Sequence, residues 1–167
     1  MKLSLRKALP SDIEYLVELR TLTMGEYIIQ LGGSTSRTAA LRNLDFEFDH
    51  AKIIQVDDED AGFHRVIFNQ EKNEIYLDLI QVHPKFQGKG IASQLIQRLI
   101  DEAAEKQCGL ALSAFKINPA QNLYKRMGFV QVGETDDEYL FECRSASSFS
   151  IPLKQKRSQI WLLLNAC

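Results

Sequence analysis

Apolar and polar positions alternate at the start of the chain. In KLSLRKA, residues 2–8, Leu3 and Leu5 are separated by polar neighbours, the period of a strand with one buried face. The period then lengthens. Ile13, Leu16, Val17 and Leu19 recur at helical spacing, and Ser11 or Asp12 can cap that helix, with Glu14 in its first turn. The helix is expected to run to about Ile29, where LGGST breaks it, and a second helix is expected over 38–48. AKIIQVDD then reads as a strand closed by an acidic turn at 57–60. GFHRVIFN reads as a second strand and EIYLDLIQV as a third, rich in β-branched and long apolar residues.

The second half opens with a helix expected over 88–107, with Ile91, Leu95, Ile96, Leu99 and Ile100 on one face and Gly109 as its stop. GLALSAF is another strand. Asn118 can cap a short helix with Pro119 at its first position, ending at Gly128. FVQVGE and DEYLFEC form a hairpin across 135–137. The order of elements predicts an α/β fold of mixed α+β type. It has a central twisted mixed sheet of about six to seven strands with helices on both faces. The three middle strands are antiparallel by their short turns. The strand–helix–strand step around Gly88 is a right-handed parallel crossover.

Composition narrows the classes. A chain of 167 residues with 45% hydrophobic and 25% charged residues can bury an ordinary core and is not of disordered type. A net charge of -2 makes no case for nucleic acid as a partner. The three cysteines, Cys108, Cys143 and Cys167, have no C-x-x-C spacing, which speaks against a disulfide framework or a zinc site. His50, His64 and His83 lack ligand spacing, so no metal is expected. MKLSLRKALP has no apolar h-region, and the late run 160–164 is too short to span a bilayer. The expectation is a cytoplasmic protein with no membrane partner.

The chemistry centres on HPKFQGKGIASQLIQ, residues 83–97. A turn between strand and helix offers backbone N–H groups that lack intrahelical partners, and the helix dipole adds partial positive charge. Such a site suits phosphate or pyrophosphate. Gly88 and Gly90 remove the side chains that would block close approach, and Lys89 adds charge. The stretch lacks the P-loop pattern. Ser93 stands where a dinucleotide turn needs its third glycine, and no acidic residue ends the next strand.

Gln87-Gly88-Lys89-Gly90-Ile91-Ala92 fits Q/R-x-x-G-x-G/A, preceded by the strand-like LIQVHPKF. NPAQNLYKRMGF, residues 118–129, fits N-P-A-x-x-L-Y-x-x-x-G-F. In this order and at this separation the two motifs resemble those of the GNAT superfamily of acyl-CoA-dependent N-acetyltransferases, over roughly residues 3–143. The resemblance implies a GNAT domain over 1–143 and a tail over 144–167. It also implies acetyl-CoA as co-substrate and direct transfer to a primary amine of a small molecule or peptide.

By that resemblance the amides from Gln87 through Ala92 hold the pyrophosphate. The backbone of Ile80, Gln81 and Val82 pairs with the pantetheine arm. Two parallel strands splay into a V-shaped gap, and a bulge in the first aims an N–H at the thioester oxygen. Asn118, a helix cap by its own reading, adds a bond to the pantetheine. Tyr124 protonates the leaving thiolate; its bland alternative is an aromatic that packs the helix. Asp78 is the candidate base, on the same strand face as Tyr76 and Ile80. Glu74 stands beside it, and Tyr76 stands near where some family members carry a catalytic Glu. His83 reads as structural.

The acceptor region of the family falls here on the first two helices, where Glu26 and Tyr27 are the candidate substrate contacts. Gly33-Ser34 replaces the aromatic that some relatives have after the loop glycine. Asp45, Glu47 and Asp49, and Asp136, Asp137 and Glu138 in the hairpin turn, could attract a cationic amine, but read first as solvated loop charge. The tail carries Arg144, Lys154, Lys156 and Arg157 and the apolar run 160–164, which a homodimer partner could cover. The rival readings are a non-catalytic acyl-CoA binding or sensing module and a protein lysine or N-terminal acetyltransferase.

Overall fold

The computed structural model describes residues 1–143, and the tail expected over 144–167 lies outside the described residues. Seven strands hydrogen-bond in the order β1-β2-β3-β4-β5-β7-β6. They are β1 Leu3–Lys7, β2 Ala51–Val56, β3 Glu59–Asn69, β4 Glu74–Val82, β5 Gly109–Phe115, β6 Val130–Glu134 and β7 Glu138–Cys143. The helices are α1 Ile13–Gln30, α2 Arg37–Asp45, α3 Ile91–Glu105 and α4 Ala120–Arg126. The sheet is mixed, as expected: β4 runs parallel to β5, while β1 with β2, β2 with β3, β5 with β7 and β6 with β7 are antiparallel. The described chain forms two compact units, Met1–Arg65 with Leu79–Ile91, and Val66–Asp78 with 92–143.

In the first unit, Leu16 and Leu19 of α1 pack with Ala8, Leu44, Ala51, Ile53 and Phe63. Each buried leucine contributes about 1.5–3 kcal/mol. Asp12 closes the entry to α1 by accepting from the Leu9 amide at 2.8 Å. It also takes a two-pronged bond from Arg6 at 2.8 and 2.9 Å. Arg6 reaches Asp60 of β3 as well, at 2.6 Å, so one guanidinium joins β1, the mouth of α1 and β3. The exit of α1 has the expected glycine: Gly32 is left-handed (φ 76°), and the Gly33 amide returns to Ile28 O at 2.8 Å.

Four local expectations need correction. The second helix ends at Asp45, not at residue 48. Phe46 is extended and Glu47 left-handed (φ 51°) because the fully buried Arg65 of β3 draws in the carbonyls of Asn43 and Phe46 at 2.9 and 2.6 Å. The acidic turn after β2 is only Asp57-Asp58, both left-handed, as a two-residue hairpin of the right twist requires; β3 therefore starts at Glu59. Helix α3 begins at Ile91 rather than Gly88, because Gly88 and Gly90 are left-handed (φ 75° and 72°). Gly109 does not stop that helix. Gln107 takes the left-handed position (φ 51°), with Cys108 N bonded to Ala103 O at 3.0 Å, and Gly109 opens β5.

In the second unit, β5 pairs along its full length with β7, from Leu110↔Cys143 to Phe115↔Glu138. The register between β4 and β5 runs only from Glu74↔Gly109 to Leu77↔Leu112. The buried side of α3 carries Leu95, Ile96, Leu99 and Ala103, with Ile100 at its margin. Helix α4 ends at Gly128 (φ 91°), where the Phe129 amide bonds Tyr124 O at 3.1 Å.

Candidate active site

The glycine turn belongs to the first unit and follows directly from β4. His83 N donates to Ala61 O at 2.8 Å, and His83 Nδ1 accepts from the Lys85 amide at 3.2 Å, so this histidine fixes the chain's exit from the strand. Residues Pro84–Phe86 form one 3-10 turn, with Phe86 buried beneath it. Gln87 ties the turn back to β4: its side chain donates to Val82 O at 2.9 Å, and its amide donates to Pro84 O at 3.2 Å. The amides of Gly88, Lys89 and Gly90 make no hydrogen bond to the described residues. They precede Ile91 and Ala92, the first residues of α3, whose amides lack intrahelical partners. No atom of the described residues lies within 4 Å of a Cβ added at Gly88. Lys85 pairs with Glu59, whereas Lys89 makes no ion pair with the described residues and rests its ammonium 5.1 Å from the Phe86 ring centre.

In the same unit, Gln81 is buried while Ile80 and Val82 are half-buried. A Cβ on Gly62 would fall 2.2 Å from Gln81 O, so β3 passes β4 closer than any other residue would allow. Glu26 is exposed and Tyr27 half-buried near the end of α1.

The second unit carries the other candidates. Asn118 caps α4, its Oδ1 accepting from the Ala120 amide at 2.9 Å. Tyr124 is buried, its ring edge-on to Phe129 and tilted on Phe141, with centres 6.1 Å apart in both pairs. Burial pushes its phenol up to about 12, so it stays protonated throughout the neutral range.

Strand alternation puts Glu74, Tyr76 and Asp78 on one face of β4, and register adds Ala111, Ser113, Glu138 and Leu140 to that face. There the Tyr76 hydroxyl meets Ser113 Oγ at 3.1 Å, and Ser113 Oγ donates to Glu138 Oε1 at 3.0 Å. Glu138 is only 3% exposed. Burial is the main reason that the Tyr76 phenol is raised, and the charges of Asp78, Glu138 and Glu74 add to the effect. Sequence reasoning put Glu138 in the strand DEYLFEC but counted its charge with the hairpin turn's as solvated, and it did not single out Ser113. Glu138 is the first residue of β7, opposite Phe115, and points inward.

Among the described residues, no three of His, Cys, Asp and Glu are grouped to hold a metal ion. No helix among them is long and apolar enough to cross a membrane. Residues 49–131 match the model of the Acetyltransferase (GNAT) domain family. The chain is 34% identical over 82 residues to streptothricin acetyltransferase of Streptomyces lavendulae, covering 48% of this chain and 43% of that protein. It is 35% identical over 69 residues to thialysine N-epsilon-acetyltransferase of Bos taurus, covering 40% of this chain and 41% of that protein. The matches thus span less than half the length of either relative. PaiA N-acetyltransferase of Thermoplasma acidophilum, solved in complex with coenzyme A, shares the fold. Its TM-score is 0.62 at 17% identity, over 87% of this chain and all of that one. The family match covers the glycine turn and the Asn118–Phe129 motif, and the shared fold extends beyond both: the chain belongs to the GNAT superfamily of acetyltransferases.

Proposed function

We propose that this protein moves an acetyl group from acetyl-CoA to a primary amine of a small molecule or peptide by direct attack. The observation that carries this is the turn at Gly88-Lys89-Gly90 at the mouth of α3: its glycines are left-handed, and among the described residues its amides have no hydrogen-bond partner and its lysine no ion pair. Such a cradle fits a pyrophosphate, and a side chain at either glycine would be strained. The amides of Gly88 through Ala92 would hold it, and Gln87 would brace the turn through Val82 O. The backbone of Ile80, Gln81 and Val82 would pair with the pantetheine arm, in the part of β4 beyond its register with β5. The coenzyme supplies an activated acyl carbon and a thiolate leaving group. Tyr124 would donate a proton to that thiolate, and Asn118 would add a hydrogen bond to the arm. Asp78 is a candidate base, and Glu26 and Tyr27 are candidate acceptor contacts.

The names of the two curated relatives, one of them an N-epsilon-acetyltransferase, support an amine acceptor. The coenzyme A bound to the Thermoplasma protein supports the donor. The free thiols Cys108 and Cys143 go with a reducing, cytoplasmic setting. We read residues 1–143 as the catalytic domain, with 144–167 as an accessory tail.

The test is calorimetric titration with acetyl-CoA, followed by thiol release with a panel of amines. Binding with release for one amine class is the expected result. Binding without release for any amine, including lysine peptides and protein N-termini, would support the sensing module instead. In Gly90→Glu a carboxylate would face the pyrophosphate, and acetyl-CoA affinity should fall at least tenfold. Unchanged affinity in that variant would remove the turn from the site.

A further inference from the structure

We infer that the proton leaving the acceptor amine travels through a relay, Tyr76 to Ser113 to Glu138, with the buried Glu138 carboxylate as its final acceptor. The inference rests on the acetyltransfer reading above and deepens it.

Hydrogen-bond direction sets the argument. Ser113 has one hydroxyl proton, and it points to Glu138 Oε1 at 3.0 Å. At the 3.1 Å contact Tyr76 must therefore donate, and Ser113 Oγ must accept. A phenol that donates its own proton keeps lone pairs that can accept an N–H. The chain runs inward, from the half-buried Tyr76 to a carboxylate that is 3% exposed. All three side chains lie on one face of three neighbouring strands, β4, β5 and β7. The raised phenol excludes a standing tyrosinate at neutral pH, so Tyr76 would act as a conduit that gains one proton while giving up another.

The balance is complete. The amine nitrogen forms a bond to the acyl carbon and loses one proton to Tyr76 O. Tyr76 passes its own proton to Ser113, and Ser113 passes its own to Glu138. The carbon–sulfur bond breaks, and the thiolate takes a proton from Tyr124. Glu138 later returns its proton to solvent and Tyr124 regains one, so the products are the amide and the free thiol. Tyr76 would touch the substrate and so be catalytic. Ser113 and Glu138 act through it. Glu74 and Asp78 also face Tyr76, and their charges would favour a cationic acceptor there.

The test compares Glu138→Gln, Ser113→Ala, Ser113→Thr and Asp78→Asn with wild type. The readouts are single-turnover rate, KM for the amine, proton inventory in mixed H2O and D2O, and calorimetric affinity for CoA. A Gln at 138 can still accept from Ser113 but cannot take a proton. Removing a general base costs on the order of 10²–10⁴ in rate. Glu138→Gln and Ser113→Ala should each lower the single-turnover rate at least 30-fold, with CoA affinity within twofold and amine KM within threefold. Ser113→Thr, which restores the hydroxyl, should recover most of the rate. The curved inventory of wild type, from several protons in flight, should straighten in Ser113→Ala. An active wild type with a Glu138→Gln rate within twofold would overturn the relay and leave acetyltransfer standing, as would a loss confined to Asp78→Asn. A wild type that binds CoA but releases no thiol with any amine would overturn both.

Discussion

Gly62→Ala isolates one close approach in the strand proposed to hold the pantetheine arm. An added Cβ would lie 2.2 Å from Gln81 O, 3.2 Å from Gln81 C and 3.1 Å from Ile54 Cδ1. The isoleucine methyl can swing away, but the carbonyl belongs to β4 and cannot. A carbon–oxygen contact needs about 3.3 Å, so the strands must part by about 1 Å. His83 N to Ala61 O, at 2.8 Å, is the neighbouring bond that such a movement strains. Overpacking costs about 1–3 kcal/mol and a weakened hydrogen bond about 1 kcal/mol, so a loss of roughly 2–4 kcal/mol is expected. With a urea slope of about 1–3 kcal/mol per molar, the unfolding midpoint should drop by roughly 1 M or more. Gly88→Ala is the comparator. No atom of the described residues obstructs its Cβ, and its cost of about 1–2 kcal/mol comes from the left-handed backbone. Gly62→Ala should also weaken acetyl-CoA binding, because Gln81 and Val82 shift with the strand. A urea midpoint within about 0.3 M of wild type would refute the reasoning, since nothing but the carbonyl contact demands glycine there.

Tyr124→Phe keeps the ring that packs on Phe129 and Phe141 and removes only the hydroxyl. Stability and CoA affinity should hold, while kcat falls by roughly 10²-fold; a kcat equal to wild type would make Tyr124 a packing residue. The Arg6 hydrogen bonds hold the Asp12 carboxyl below its usual range. A depressed folded value means stability that is fully present above the ordinary carboxylate value, near 3.9, and lost as pH falls through the lower folded one. The urea midpoint of wild type should therefore decline as pH drops below about 4, and that of Arg6→Met should decline less; parallel curves would deny the linkage.

Where structure follows from the local period, the chain is readable. The strands at Leu3–Lys7, Ala51–Val56 and Glu74–Val82 and the helix at Ile13–Gln30 lie within a few residues of where alternation and helical spacing put them. Two of the misses share one cause, a distant partner that overrides a local preference. Nothing near Asp45 says that the second helix must stop; Arg65, twenty residues on, takes its carbonyls. Gly109 looks like a helix stop, yet Gln107 accepts the left-handed position and leaves Gly109 for β5, where its Cβ would press on Glu74 Cγ at 3.4 Å.

The same distinction divides the site. The glycine turn is contiguous, so its chemistry can be read from six neighbouring residues. The face around Tyr76 is assembled by register: Tyr76 stands opposite Ala111 in a parallel pair, and β7 lies beside β5 with Ser113 opposite Leu140. Neither pairing is encoded near any one of the three residues, which lie 37 and 25 positions apart along the chain. The hairpin then hides its most informative residue. Glu138 follows Asp136 and Asp137 and looks like the third acid of an exposed turn. Thr135 makes the difference. Its amide donates to Glu138 O at 2.8 Å, and its hydroxyl oxygen accepts from Glu138 N at 3.0 Å. Those two bonds close the hairpin before the third acid, so Glu138 becomes a strand residue, and alternation turns its carboxylate to the Ser113 side of β7 rather than to the Tyr139 and Phe141 side. A carboxylate brought to that depth must be hydrogen-bonded or pay for desolvation, and Ser113 supplies one such bond, to Oε1. The hydrogen bond that Ser113 gives the buried acid is thus the same one that links it to Tyr76.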